Sequence, residues 1–182
     1  MINSASPAMK AAAVAVGALL LALSSYLAIP MAPVPITLQT LAVTLIGALY
    51  GWRLGALTII IWLVAGALGL PVLSDGSSGI QKFMGATAGY LFAFPLAGAL
   101  TGWLVVERGW DGSRFVLAFL AMLAGTALCL LFGAAWLAFN IGAEKALIHG
   151  VLPFLVGGVL KSLAGAIVLK AIGARTRPAA LV

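Results

Sequence analysis

Long apolar runs separated by short polar breaks follow one another along almost the whole chain. A transmembrane helix needs about 20 predominantly apolar residues, and the runs divide on that basis into six predicted spans. The spans cover about residues 9–29, 37–51, 54–70, 85–106, 115–138 and 150–172. The second span is short enough to be tilted, broken or only partly crossing, and the Gly51-Trp52-Arg53 break after it is the weakest. The pattern predicts an all-α integral membrane protein, with six transmembrane helices in a single membrane domain over residues 1–182.

Three prolines, Pro30, Pro33 and Pro35, follow the first span and precede the polar pair Gln39 and Thr40. Proline fixes φ and removes a backbone donor, so a helix cannot continue through this segment. Irregular backbone is not tolerated in hydrocarbon. The segment is therefore predicted to lie at the surface or to be buried within protein, where it lines a cavity. The other clear breaks are LSDGSSGIQK (73–82), ERGWDGSR (107–114) and NIGAEKALIHG (140–150).

Composition supports the membrane assignment, since 64% of the 182 residues are hydrophobic and 8% are charged. A soluble domain carries about 25% charged residues, and the mean hydropathy here is +1.21. Cytoplasmic loops are enriched in Lys and Arg. In a six-span arrangement one side of the membrane holds seven cationic residues: Lys10, Arg53, Arg108, Arg114, Lys170, Arg175 and Arg177. The other side holds two, Lys82 and Lys145.

This asymmetry predicts that both termini are cytoplasmic and that the protein crosses the cell (plasma or inner) membrane several times. The net charge of +6 then reflects orientation and attraction to the anionic lipid bilayer. No nucleic-acid partner is predicted, because no basic patch is interleaved with aromatic residues. The proline segment, 73–82 and 140–150 fall together on the external side, so we expect a pocket that opens outward.

Lys161 lies about eleven residues from either end of the last predicted span, or roughly 16 Å of helix. A charge at the bilayer centre costs about 2.5–3.5 kcal/mol on insertion scales and usually faces a bundle interior or cavity. The alternative is a lysine that extends along its stem to the membrane surface. The depth favours a functional lysine. Since no acidic residue lies within a span, a carboxylate or carbonyl of a substrate could be its partner.

Gln39 and Thr40 stand where the proline segment enters the second span. An amide carries donors and an acceptor, which suits a polar ligand group at the edge of an apolar cavity. Equally, Gln39 could brace the irregular backbone around the prolines.

Residues 74–90 contain many small residues followed by Thr87 and Tyr90. Glycines allow a close backbone approach to a ligand, so this stretch could form a lid and a binding floor. The alternative, slightly favoured by the sequence, is an interfacial turn with a tyrosine of the aromatic belt.

Ala11, Ala15, Ala18 and Ala22 recur along one face of the first span. Small residues at this spacing let helices pack closely in lipid, either within this chain or against a partner. Internal packing is the commoner explanation.

Several chemistries are absent from the sequence. No GxxxxGK[ST] phosphate loop and no HExxH motif is present. The lone Cys129 excludes an intrachain disulfide, and His149 is predicted to be a solvated loop residue. No cofactor, no metal site and no enzymatic activity are therefore predicted.

The segments PVPITLQTLAV, RLGALTIIIWLVAGALGLPVL and GATAGYLFAFPLAGALTG resemble the BioY family over about residues 10–172. These proteins are the biotin-capturing S components of energy-coupling factor (ECF) transporters. The resemblance implies six membrane helices and a vitamin bound from outside. It also implies as partners a transmembrane coupling subunit, which Ala11 and Ala15 would meet, and ATPase subunits.

By the same resemblance, Gln39, Tyr90 and Lys161 match residues of the family's motifs, and Ser77 lies where some members have a ligand-contacting asparagine. With Thr40 and Thr87 they make up the predicted substrate-binding set. Two positions depart from the family pattern: Gly158 replaces an acidic residue three positions before the lysine, and GATAGY replaces GPTGGY. Without that carboxylate, the contacts to the ureido N–H groups of biotin must differ.

The predicted function is capture of biotin from outside and its transport inward as part of an ECF transporter. The alternatives are an S component for another small vitamin or a biotin analogue, and a ligand-free membrane interaction or assembly protein.

Overall fold

The computed structural model describes residues 6–176, so Arg177, counted among the cations above, lies outside the described residues. The described chain is built from α-helices, one small β-hairpin and short 3₁₀ and π-helical segments. In chain order its α-helices and strands are α1 (Pro7–Tyr26), β1 (Ala28–Ile29), β2 (Ile36–Thr37), α2 (Gln39–Ala67), α3 (Ala88–Gly102), α4 (Phe115–Ile141), α5 (Ala143–Gly150) and α6 (Leu152–Thr176). The 3₁₀ segments are Ser74–Gly76 and Ile80–Phe83, and the π-helical segment Trp103–Glu107 continues α3. The helical class predicted from the sequence is confirmed.

Five helical stretches among the described residues are long and apolar enough to cross a membrane. They are Pro7–Tyr26, Gln39–Ala67, Ala88–Glu107, Phe115–Ile141 and Ala143–Gly173. The protein is thus a multi-pass membrane protein. The sequence predicted six spans, and the difference arises at α2, a single helical stretch that covers both the second and the third predicted spans.

The α2 stretch is not straight, because Gly51 interrupts it with φ 79° and ψ 171°. Such a positive φ is open to glycine, which has no Cβ. A Cβ added to Gly55 would lie 2.9 Å from the Cα atom of Gly47, whereas eight residues of straight helix span about 12 Å. The chain therefore reverses at Gly51, and the two halves of α2 pack against each other. The interruption falls at the break predicted to be the weakest.

Close backbone contacts between small residues hold the centre of the bundle together. A Cβ at Gly47 would collide with the carbonyl oxygen of Gly98 in α3, and one at Gly125 in α4 would collide with the Thr101 hydroxyl. Membrane helices lack a hydrophobic force that drives them together, so such close approach is a main source of their packing energy. Helices α2, α3 and α4 therefore form the tightly packed middle of the molecule.

The proline segment folds as a hairpin, in which Ala28 pairs with Thr37 and Ile29 with Ile36 in antiparallel register. The three prolines lie in or beside its loop, where their missing N–H groups interrupt no helix. Val34 at this loop is 5% exposed. The hairpin thus packs onto the protein.

Residues 140–150 were predicted to be a loop, and this prediction is wrong for most of the segment, since Ala143–Gly150 is the helix α5. Its sequence AEKALIHG is rich in good helix formers. Glu144 in the first turn and His149 in the last suit the helix dipole. His149 is exposed, as predicted.

The bundle has two distinct ends. The hairpin end brings α1 to the segment after α2, because the Ser25 hydroxyl oxygen lies 2.8 Å from the Val72 carbonyl oxygen. At the opposite end, Lys10, Arg53 and Glu107 line one open groove. The segments predicted to be external therefore lie at the end away from Lys10 and Arg53.

Candidate ligand-binding site

A cavity opens at the hairpin end, between the hairpin, α2, α3, α4 and α6. Its empty space is ≈ 450 Å³, part of it open to the outside. Small-molecule sites typically combine apolar walls with a few polar groups. The lining here has that character: Val34, Pro35, Thr37, Gln39, Thr40, Ser74, Thr87, Tyr90, Leu91, Phe94, Leu130, Phe154 and Lys161.

The structure brings five of the six residues of the predicted substrate-binding set to this one cavity: Gln39, Thr40, Thr87, Tyr90 and Lys161. They come from elements far apart in the sequence, so the bundle, and no local motif, assembles them. Ser77 is not on the cavity wall. Its neighbour Ser74 takes a place there, since the two belong to one tight turn in which the Ser77 N–H donates to the Ser74 carbonyl.

Lys161 crosses the cavity and reaches the hairpin. Its Nζ atom donates to the carbonyl oxygen of Thr37 over 2.9 Å, so the side chain does not run along α6 to the membrane surface. An ammonium has three donors, and the neutral carbonyl takes one of them. Among the described residues no Asp or Glu lines the cavity. Lys161 is thus a partly desolvated charge with donors to spare for a ligand.

Gln39 is the first residue of α2, and its side chain is 3% exposed. Its Nε2 atom donates to the Ser25 hydroxyl over 3.0 Å. Its Oε1 atom accepts from the Thr37 hydroxyl over 3.0 Å. These are the contacts of the bracing role, since they tie α1 to the hairpin. One N–H of the amide and one lone pair of Oε1 are left over, so the same side chain can also meet a ligand.

Thr40 lines the cavity with a hydroxyl that has no hydrogen-bond partner, although its oxygen is buried. Native proteins satisfy nearly all buried polar atoms, and each exception calls for an explanation. The neighbouring Thr44 shows the ordinary arrangement, because its hydroxyl donates to the Thr40 carbonyl over 3.0 Å. The Thr40 hydroxyl is therefore free to bond to a molecule that fills the cavity.

Tyr90 is 6% exposed, which contradicts the interfacial-belt alternative. Its hydroxyl donates to the Gly150 carbonyl over 2.8 Å. Gly133 makes room for the ring, because a Cβ there would collide with it. Phe154 packs beside the ring at a centroid distance of 6.3 Å. The tyrosine thereby forms a wall between α3 and α6 and keeps its oxygen lone pairs as acceptors.

Sequence reasoning missed the apolar residues that line the cavity and two of its polar residues, Thr37 and Ser74. Phe94, Leu130 and Phe154 look like any other apolar helix residues, so no sequence signal distinguishes them. Thr37 could have been found, because it is a polar residue two positions before Gln39 in an otherwise apolar stretch. Ser74 lies in the stretch predicted to form a lid, where several small polar residues compete for the same role.

Comparison with known proteins identifies the family to which this chain belongs. The model of the BioY family matches residues 1–178. The chain belongs to the BioY family.

Two curated BioY relatives cover most of this chain and of their own length. The "Probable biotin transporter BioY" of Pyrococcus horikoshii is 41% identical over 151 residues, 81% of this chain and 88% of that protein. The "Biotin transporter BioY2" of Lactococcus lactis subsp. cremoris is 37% identical over 144 residues, 78% of either chain.

A solved structure has a similar fold, namely the crystal structure at 2.1 Å of "the S-component for biotin from an ECF-type ABC transporter". It superposes with a TM-score of 0.81 and 25% sequence identity, over 96% of each chain. The BioY fold thus accounts for nearly all of the chain.

The alanine face of α1 in this BioY chain divides into two parts. Ala18 and Ala22 pack against the core, which is the internal packing that the spacing favours. Ala11 and Ala15 are exposed, so they are not covered by any described part of the chain. The two alanines that the family resemblance assigns to a partner, Ala11 and Ala15, are therefore the two exposed residues of this face.

Gly158, where the resemblance leads us to expect an acidic residue, lies against α4. A Cβ at this position would lie 3.2 Å from the Thr126 methyl group. The Gly158 carbonyl accepts from the Ser162 hydroxyl over 2.8 Å, and the Thr126 and Ser162 hydroxyls are 3.3 Å apart. Two neutral hydroxyls therefore occupy the neighbourhood of the missing carboxylate.

Proposed function

We propose that the protein is a membrane substrate-capture subunit, an S component, that binds biotin from the outside and passes it inward within an ECF transporter. The observation that carries the proposal is the cavity. It contains the Lys161 ammonium, which has donors left after its bond to Thr37, and the buried Thr40 hydroxyl, which has no hydrogen-bond partner. The choice of ligand is supported by the BioY relatives, which are named biotin transporters, and by the similar structure, which is an S component for biotin. A BioY chain with these features acts in transport and is not an enzyme.

For the topology we propose six membrane spans in one domain over residues 1–182, with both termini in the cytoplasm and the chain in the cell membrane. The reversal at Gly51 supports two spans within α2, each shorter than a full bilayer crossing. Lys10 and Arg53 at the end opposite to the cavity support the orientation, because cytoplasmic ends are enriched in such residues. The cavity then opens to the outside.

For the ligand contacts we propose Lys161, Gln39, Thr40, Thr87 and Tyr90. Lys161 would give a charge-assisted hydrogen bond to an oxygen of the ligand, and no carboxylate among the described cavity-lining residues competes for it. Ser77 would reach the ligand only if residues 74–79 moved toward the cavity. The absence of a carboxylate at Gly158 means that ureido N–H groups would donate to neutral oxygens.

Titration of the purified protein with biotin in detergent tests this proposal. We expect saturable binding at micromolar ligand or below by protein that is folded by circular dichroism. Competition with other small vitamins at the same concentrations would reveal a different ligand of the same site. Failure of folded protein to bind biotin would refute the biotin assignment. Failure with every vitamin, together with a stable complex with other membrane proteins, would support the interaction-protein alternative that Gly158 keeps open.

We also propose that transport depends on a coupling subunit and ATPase subunits, because this sequence has no phosphate loop and no acidic residue within a predicted span. The exposed Ala11 and Ala15 on α1 are the proposed contact, since small residues permit a close helix crossing.

Replacing both alanines with tryptophan should abolish co-purification with the coupling subunit and leave biotin affinity unchanged. Ala135→Trp is the matched control, because Ala135 is an exposed alanine on α4 and its substitution should leave the complex intact. Full assembly of the double tryptophan variant would show that the contact lies elsewhere.

A further inference from the structure

Ser25, near the end of α1, is 0% exposed and lies outside the cavity lining. Its Oγ atom lies 2.9 Å from the Leu21 carbonyl oxygen and 2.8 Å from that of Val72. Both carbonyls can only accept, and a hydroxyl has a single proton to give. Whichever carbonyl takes the proton, Ser25 presents only lone pairs to its third neighbour.

That third neighbour is the Gln39 amide, 3.0 Å away. Because Ser25 can only accept here, the amide group that faces it must be the NH₂ and not the oxygen. The other side of the amide is compatible with this orientation. The Thr37 hydroxyl accepts from the Gln39 backbone N–H over 3.3 Å and donates its own proton to Oε1 over 3.0 Å.

The orientation of a glutamine amide follows from its hydrogen-bond network, and the Ser25 end of this network has fixed polarity. A flipped amide would set Oε1 against the lone pairs of Ser25. Gln39 is therefore held so that it presents a defined pattern to the cavity: the second N–H of Nε2 and the second lone pair of Oε1.

We infer that Ser25 is a positioning residue for ligand recognition, which sets the direction of the Gln39 amide without touching the ligand. This inference rests on the proposed ligand-binding function. It applies to ligands whose polar edge carries both an acceptor and a donor, as ureido and amide groups do. Loss of Ser25 would leave Gln39 free to turn and would weaken such ligands specifically.

Removal of this hydroxyl leaves both carbonyl oxygens with another donor. The Val72 carbonyl keeps the Trp62 Nε1 donor at 2.9 Å, and the Leu21 carbonyl keeps the Ser24 hydroxyl at 2.7 Å. Ser24 also supplies a matched control, since it is the adjacent serine on the same helix and shares the Leu21 partner but does not contact Gln39.

The test is a binding cycle with biotin on the purified full-length protein. We expect Ser25→Ala to weaken binding about two- to fivefold, which is part of the cost of losing one neutral hydrogen bond, because the freed Gln39 amide can still meet the ligand in some orientations. Ser24→Ala should leave binding unchanged. In a Gln39→Ala background, Ser25→Ala should cost nothing further, because Ser25 acts through Gln39. A merely structural serine would weaken binding by the same factor in both backgrounds, and that additivity would overturn the inference.

Ser25→Cys provides a second variant of nearly the same size, should Ser25→Ala not fold. A thiol is a weak acceptor, so we expect the same two- to fivefold loss, and wild-type affinity for this variant would contradict the inference. If the wild-type protein binds no ligand at all, the proposed function fails first, and the result is distinguishable from a wild type that binds and does not respond to Ser25.

The chain contains two glutamines, Gln39 and Gln81, so selective ¹⁵N-glutamine labelling gives an NMR spectrum with two side-chain NH₂ pairs. The Gln39 pair should shift in Ser25→Ala and stay in place in Ser24→Ala. An unchanged Gln39 pair in Ser25→Ala would show that the amide is not anchored by Ser25.

Discussion

Lys161 on the α6 wall of the cavity and Gln39 on the α2 wall differ in how far the protein satisfies their hydrogen-bonding capacity. On the α6 wall, the Lys161 ammonium has three donors and gives one to the neutral Thr37 carbonyl. On the α2 wall, the Gln39 amide is bonded through both of its polar atoms, to Ser25 and to Thr37. Lys161 has two donors left for a ligand, whereas the Gln39 amide has one N–H and one lone pair left and is held in place by its own chain.

This difference separates binding strength from orientation. A charge in a partly dry cavity gains most from a new partner, because electrostatic attraction increases as water is excluded. A neutral amide that is already anchored gains one further hydrogen bond, and its direction is fixed beforehand. We therefore expect α6 to supply most of the affinity and α2 to select the pattern of donors and acceptors.

The largest effect should come from Lys161→Ala, which removes the charged donor. A hydrogen bond to a charged group is worth about 1.5–3 kcal/mol, so we expect biotin affinity to fall roughly 10- to 100-fold. Isothermal titration measures it. Lys170→Met is the control, because Lys170 is an exposed cation on the same helix, 5.4 Å from the Phe115 ring. Equal affinities for Lys161→Ala and wild type would show that Lys161 does not contact the ligand.

An intermediate effect is expected from Gln39→Ala. Loss of one neutral hydrogen bond costs about 0.5–1.5 kcal/mol, which corresponds to roughly three- to tenfold weaker binding without loss of expression. If titration shows unchanged affinity but a lower melting temperature, Gln39 only braces the hairpin. In that case the α6 wall binds the ligand and Gln39 serves only the structure of the protein.

The smallest change in affinity should come from Thr40→Val, which removes the unpartnered hydroxyl and keeps the shape. Since burial of an unsatisfied polar group costs free energy, we expect the ligand-free protein to become more stable by about 1 kcal/mol. Biotin binding should weaken two- to threefold. Thr44→Val, one turn along α2, should do the reverse, because the Thr44 hydroxyl is already bonded: stability falls and affinity holds.

Thermal unfolding and titration of the two valine variants together decide this prediction. A Thr40→Val variant that is less stable than wild type would show that its hydroxyl is satisfied in the ligand-free protein and is not reserved for a ligand.

Much of the fold was predictable because the bilayer imposes simple rules on composition and length. The helical class and the interruption at Gly51 follow from apolar run length and from glycine. The α5 helix was missed because its polar residues read as a loop, whereas its backbone preferences are helical. Hydropathy also fails to show that both predicted spans around Gly51 form one interrupted stretch, since that depends on contacts such as Gly47 with Gly55.

The polar members of the site were predictable for a different reason. Lys161 is conspicuous in an apolar span, and Gln39 stands out after three prolines. Their partners were not predictable, because the Thr37 carbonyl carries no side-chain signal and is 124 residues away from Lys161 in sequence. Ser25 was not predictable either, because a serine near a helix end has many ordinary roles.

The most direct test of the account is an experimental structure of the protein with biotin bound. We predict that the ligand fills the cavity at the hairpin end and that the Lys161 ammonium lies within about 2.7–3.2 Å of a ligand oxygen, the ordinary range of a hydrogen bond. A bound biotin outside this cavity, or one in it that leaves Lys161 bonded to the Thr37 carbonyl alone, would contradict the central claim.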